Sequence, residues 1–177
     1  TEYVRLQQMY NLDQQYTEYP KIAAEIISKD PGNWYDTFMI NRGSADGIRV
    51  DNNVLADKGL VGYVVYVEDN SAKVQTIVDT ASAVSCFISN SEKSLVTRGL
   101  LDSNNKIKGN YIDNDVVLNE GDSIYTSGIG GIYPKNINIG KIKEIVNTQN
   151  KTNRYVYIET AVDFENLSNI VVIKNQK

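Results

Sequence analysis

Gly121-Asp122-Ser123 is the stretch most suggestive of covalent chemistry, because Gly-Asp-Ser followed by two glycines surrounds the nucleophile of chymotrypsin-like proteases. Here Ile124 and Tyr125 follow instead, so no backbone oxyanion pocket is implied. The histidine count is 0, which leaves no imidazole to take a serine proton and removes the usual zinc and haem ligand sets. Gly128-Ile129-Gly130-Gly131-Ile132-Tyr133-Pro134 has the glycine density of a phosphate cradle. It lacks the Lys-Ser/Thr ending of a P-loop, and no helical period follows it. Asp113 with Asp115, and Asp163 with Glu165, would share a face of an extended segment, but neither pair has the central Gly and distal Glu of a calcium loop. Cys86 is the single cysteine and sits in the strand-like run Ala83-Val84-Ser85-Cys86-Phe87-Ile88, where a thiol packs as a small hydrophobe. The expectation is no catalytic residue, no metal and no cofactor.

What remains of the glycine-rich stretch is a turn with three large apolar groups, Ile129, Ile132 and Tyr133. Apolar side chains at a loop tip mark a contact surface for a partner protein. Trp34-Tyr35, after Pro31-Gly32-Asn33, offers a second recognition device, an aromatic clamp for a glycan or peptide or else a lid on the core. Nucleic acid is not an expected partner, since 18 Lys plus Arg face 22 Asp plus Glu, the net charge is -4, and no basic stripe exists.

The elements that position these residues follow from periodicity. The 177 residues, 41% hydrophobic and 23% charged, belong to the globular class. The longest apolar run, residues 60–67, is far short of the roughly 18 needed to span a bilayer. Residues 1–19 contain no Gly or Pro and place Leu6, Met9, Leu12, Tyr16 and Tyr19 on one helical face. That stripe, through Leu6, Met9, Leu12 and Tyr16, reads as the tail of a dimerising coiled coil, and a helical pattern already running at Thr1 points to a segment upstream. From Ile22 onward the chain is all-β, with short strands expected at 23–27, 37–41, 53–56, 60–67, 73–78, 83–88, 95–101, 107–112, 116–118, 123–126, 137–146, 155–162 and 170–173. Asp102-Ser103-Asn104-Asn105 reads as a tight turn. So many short strands suit two small barrels.

An internal repeat supports two copies of one unit. Ile40-Asn41-Arg42-Gly43 is echoed by Leu118-Asn119-Glu120-Gly121, and Val61-Gly62-Tyr63-Val64 by Ile139-Gly140-Lys141-Ile142, both at an offset of 78 positions. Gly62 and Gly140 within apolar strands predict bulges or tight bends. Gly43, Gly62, Gly121, Gly128 and Gly140 are the expected structural glycines.

Ala24-Glu25-Ile26-Ile27, Trp34, Ile40-Asn41-Arg42-Gly43, Asp46-Gly47-Ile48 and Lys58-Gly59-Leu60-Val61-Gly62-Tyr63-Val64 occur in the order seen in the MreC family of rod shape-determining proteins. The block from Gly121 to Pro134, then Ile139-Gly140 and Ala161-Val162-Asp163-Phe164-Glu165-Asn166-Leu167, resembles the same family, so the likeness covers nearly the whole chain. Arg42 and Ser44 stand where a Lys and a small or polar residue are commoner. The resemblance implies a mainly β fold: a dimerisation helix, then two six-stranded barrels distantly like chymotrypsin's but without catalysis. Residues 1–19 would be the helix, 20–78 with strands from 158–177 the first barrel, and 79–157 the second. It also implies a homodimeric scaffold of the cell-wall elongation machinery on the extracytoplasmic face, held by an upstream transmembrane anchor. Its implied partners are a class B penicillin-binding protein and the membrane protein MreD. The alternative is a barrel module that binds a cell-wall glycan or peptide through Trp34 and tyrosines.

Overall fold

The computed structural model describes residue 3 and residues 20–29, 36–101, 105–148 and 154–174. Tyr3 is helical and exposed, while Leu6, Met9, Leu12 and Tyr16, Trp34 and the turn at 102–104 lie outside the described residues.

Twelve strands are described: β1 (Lys21–Lys29), β2 (Thr37–Ile40), β3 (Asn53–Ala56), β4 (Gly59–Val67), β5 (Ala72–Thr76), β6 (Ala83–Ile88), β7 (Ser94–Gly99), β8 (Lys106–Asn110), β9 (Ser123–Thr126), β10 (Asn138–Val146), β11 (Tyr155–Thr160) and β12 (Asn169–Ile173). Alternation in the sequence becomes alternation in burial. In β5, Ala72, Val74 and Thr76 are buried while Lys73 and Gln75 face outward, and β11 buries Val156, Ile158 and Thr160 in the same manner. The strands close into two antiparallel barrels, which leaves no sheet edge unpaired. Ile40, Val54, Val64, Val74 and Val172 fill the first; Cys86, Ile88, Ile107, Ile124 and Ile158 fill the second.

With β12 counted as the first strand of its barrel, both barrels have one closed order: β12-β1-β2-β5-β4-β3 and β6-β7-β8-β11-β10-β9. The registers agree residue by residue. Val54 pairs with Gly62 and then Leu55 with Leu60; Ile124 pairs with Gly140 and then Tyr125 with Asn138, so both bulges fall at the same place. Gly62 faces Thr76 as Gly140 faces Thr160, and a second bulge follows both Val64 and Ile142.

At each barrel's glycine a side chain has no room. A Cβ on Gly62 would lie 2.0 Å from Gln75 O, and one on Gly140 would lie 2.1 Å from Glu159 O, so neighbouring strands approach through the missing atom. Gly43 is needed for the same reason, facing Glu68 O at 2.2 Å from its built Cβ.

The structure revises four expectations. The compact units are Thr1–Thr76 with Phe164–Lys177, and Ile77–Asp163, so β11 completes the second barrel and only β12 returns to the first. The expected return at 158 and the boundary at 78/79 move accordingly. Residues 116–118 form no strand: the run buries Val116, exposes Val117, and is shaped by hydrogen bonds rather than a ladder. The structural counterpart of Asn119-Glu120-Gly121-Asp122 is Arg49-Val50-Asp51-Asn52, not the segment ending at Gly43. In both turns the fourth residue's side chain accepts the first residue's N–H, Arg49 N to Asn52 Oδ1 at 2.9 Å and Asn119 N to Asp122 Oδ2 at 3.1 Å. Both third residues are left-handed, Asp51 at φ 74° and Gly121 at φ 91°, whereas Gly43 at φ -143° is extended.

Candidate partner-binding surface

The connection between β9 and β10 is where the two copies differ most. Val54 and Ile124 are 70 positions apart, while Gly62 and Gly140 are 78 apart, so this connection is eight residues longer than its counterpart between β3 and β4. The inserted chain contains the glycine-rich stretch.

Its base is fastened from within the barrel. The buried Thr126 donates its hydroxyl to Pro134 O at 2.6 Å and accepts Ile137 N at 2.9 Å. Ser127 donates from both backbone N–H and hydroxyl to Ser85 O, at 3.0 and 3.1 Å, and its hydroxyl accepts Ile129 N at 3.2 Å. Phe87 stacks on Tyr125 with centroids 5.9 Å apart, beneath Lys135. Gly128, Gly130 and Gly131, at φ 76°, 91° and 71°, let the chain reverse above that base. The tip presents Ile129, 69% exposed, and Ile132, 54% exposed. Tyr133 is half-buried. Of the three residues nominated from sequence, the two isoleucines form one exposed apolar tip.

A second apolar feature has no signal in the sequence beyond its residue types. Tyr111, left-handed at φ 60° and 80% exposed, and Val117, 73% exposed, stand on the connection between β8 and β9. Arg154 holds this connection, donating Nη1 to the carbonyl oxygens of Asp113, Asn114 and Val116 at 3.2, 3.1 and 2.7 Å. In the closed barrel β9 ends beside the start of β10, whereas β8 ends beside the start of β11. The two apolar features therefore lie at opposite ends of the second barrel.

The residues first suspected of chemistry are occupied structurally. Asp122 is buried and accepts Asn90 Nδ2 at 2.5 Å besides Asn119 N, so it fixes a turn. Cys86 is buried, its thiol pushed up to about 12 by burial, and it stays protonated and unreactive at neutral pH. No group of three metal-ligating side chains occurs among the described residues. Such an arrangement can recognise apolar surface on another protein.

Residues 26–174 match the family described as "Rod shape-determining protein MreC, barrel core". The cell shape-determining protein MreC of Listeria monocytogenes is 27% identical over 172 residues, covering 96% of this chain and 58% of its own length. The MreC of Caulobacter vibrioides is 32% identical over 121 residues, covering 68% and 34%. This chain thus spans little more than half the length of its Listeria relative. Among solved structures, an MreC from Listeria monocytogenes superposes with a TM-score of 0.83 at 25% identity, covering 96% of this chain and 85% of that one. A Helicobacter pylori MreC, solved in a complex with penicillin-binding protein PBP2, superposes with a TM-score of 0.66 at 15% identity, covering 88% and 100%. With the family match spanning both barrels from β1 to the end of β12, the chain belongs to the MreC family of rod shape-determining proteins.

Proposed function

We propose that this chain is a non-catalytic scaffold of the cell-wall elongation machinery, maintaining rod shape by organising peptidoglycan-synthesis enzymes. The observation that carries the reading is the fastened, eight-residue-longer loop of the second barrel, which leaves more than half of the surface of Ile129 and of Ile132 in water. Fixing apolar groups on a rigid support lowers the ordering cost of association, and such groups anchor protein interfaces. A class B penicillin-binding protein is the proposed occupant, in keeping with the Helicobacter pylori relative solved with PBP2. Homodimerisation through Leu6, Met9, Leu12 and Tyr16, contact with MreD, and an extracytoplasmic position secured by an upstream anchor complete the proposal. Glycan binding is the weaker reading: Tyr155 and Tyr157 meet edge-on, and Lys108 and Lys106 cap their rings at 4.0 and 4.2 Å, so they form no open stacking platform.

The test is co-purification of the organism's own class B penicillin-binding protein with the full-length scaffold carrying Ile129→Asp and Ile132→Asp. Recovery should fall by about tenfold or more while the melting temperature stays put. Undiminished recovery from the doubly substituted protein would place the contact elsewhere.

A further inference from the structure

Away from the loop tip, the outer face of the second barrel carries a cleft of about 370 Å³, lined by Gly121, the β10 stretch Asn138 and Gly140 to Lys143, and Glu159, Thr160 and Ala161. Its volume is within the range of ligand-binding clefts, roughly 300–1,000 Å³. Gly140 contributes no side chain to it, because the approach of β11 forbids one.

The cleft's polar groups are unequally satisfied. Asn138 Oδ1 is shielded from solvent and has no hydrogen-bond partner among the described residues. In register, Glu159 stands between Lys106 and Lys141 on the neighbouring strands, yet its ion pair goes to Lys143 at 3.3 Å, the residue at the β10 bulge. Lys106 and Lys108 hold their ammonium groups over Tyr157 and Tyr155. Lys141 is exposed and has no partner among the described residues. Four lysines thus gather around Glu159 and Glu144 in a chain whose net charge is -4. This face is locally positive, and an acidic ligand complements it.

We infer that the cleft over Gly140 is a docking site for an extended acidic peptide segment, with Lys141 taking a carboxylate and Asn138 Oδ1 taking a backbone N–H. An extended peptide offers both groups in alternation, a donor from the backbone and an acid from the side chain. A sugar acid would also offer a carboxylate and donors, but the tyrosine rings it would stack on are already capped. The site is independent of the isoleucine loop, so either reading can fail without the other.

The experiment is a titration of the isotope-labelled chain, followed by backbone amide resonances, with the blocked peptide acetyl-Ser-Glu-Ser-Glu-Ser-amide. The comparison ligands are its glutamine counterpart and polygalacturonate. Shifts should concentrate at 138–143 and 159–161, and Lys141→Glu should weaken binding by about tenfold. Asn138→Ala should weaken it by roughly threefold, and Lys58→Glu, a change at an exposed lysine of the first barrel, should leave it unaltered. Absence of saturable binding at millimolar peptide overturns the proposal. Equal binding of the glutamine peptide, or shifts spread over all lysines, overturns it as well. Tighter, Lys141-dependent binding of polygalacturonate would make the cleft an anionic-sugar site and refute the peptide assignment.

Discussion

Replacing Gly140 by Ala should destabilise the second barrel by about 4 kcal/mol, although only one methyl group is added. The new Cβ would stand 2.1 Å from Glu159 O, 3.0 Å from Glu159 C and 3.1 Å from Ile158 Cγ2. The first two are backbone atoms of β11, which no rotamer change can move aside. Ordinary contact requires β10 and β11 to part by more than an ångström. Overpacking of this sort costs about 1–3 kcal/mol, and disturbing two ladder hydrogen bonds around the Gly140–Thr160 pair adds about 0.5–1.5 kcal/mol each. The sum is a large share of a domain's typical stability of about 5–15 kcal/mol. Gly62→Ala, with Gln75 O at 2.0 Å, should cost as much in the first barrel. Gly130→Ala is the control: its Cβ meets nothing within 4 Å and only φ 91° opposes it, a strain of about 1–2 kcal/mol. Urea unfolding combined with amide exchange, read separately in β4–β5 and β10–β11, distinguishes the three. The reasoning fails if Gly140→Ala costs no more than Gly130→Ala, or if its effect appears equally in both barrels.

Three other outcomes are expected. Leu6→Asp with Leu12→Asp should abolish self-association of the full-length protein, and light scattering that finds the unsubstituted protein monomeric at every concentration would remove the proposed helical seam. Arg154→Ala should release the carbonyls of Asp113, Asn114 and Val116 and cost on the order of 1.5–3 kcal/mol, seen as faster amide exchange across 113–117 with the rest of the barrel unchanged. Cys86 should resist iodoacetamide at pH 8 until the chain is unfolded; because its folded pKa of about 12 exceeds the unfolded 9.0, its contribution to stability is intact below pH 9.0 and is lost as pH rises toward 12, which a pH series against Cys86→Ala reads directly.

Strand existence was legible because burial on one face of a barrel imposes a period of two, as in Ala83–Ile88 and Ser123–Thr126, whose bounds follow from the residue pattern alone. Val116-Val117-Leu118 shows the limit. Three apolar residues in a row satisfy a strand pattern, but the Val116 carbonyl, with those of Asp113 and Asn114, is claimed by Arg154, which is 38 positions from Val116 and invisible to any local reading. The destination of β11 was illegible for a related reason: its alternation states that one face is buried, not which barrel buries it. The loop's exposed isoleucines were half legible. Glycines marked the tip, but the hydrogen bonds of Thr126 and Ser127 that fasten its base, and the exposure of Ile129 and Ile132 against a half-buried Tyr133, come only with the structure.

The mistaken partner for Gly121 carries its own information. At the offset of 78 that relates Gly62 to Gly140, Gly121 falls opposite Gly43. The true counterpart, Asp51, lies 70 positions away, and it keeps the left-handed turn with a residue type that tolerates that conformation. The shift between the two offsets falls wholly between β9 and β10. The duplicated parts, turn, bulge and glycine-to-threonine pair, are those that close a barrel, and any change there propagates through the ladder. An insertion at a strand connection leaves the ladder intact, because both its ends are fixed by Thr126 and Ile137. The eight added residues could therefore acquire apolar groups without cost to closure, which makes the difference between the copies a physical argument for where partner recognition resides.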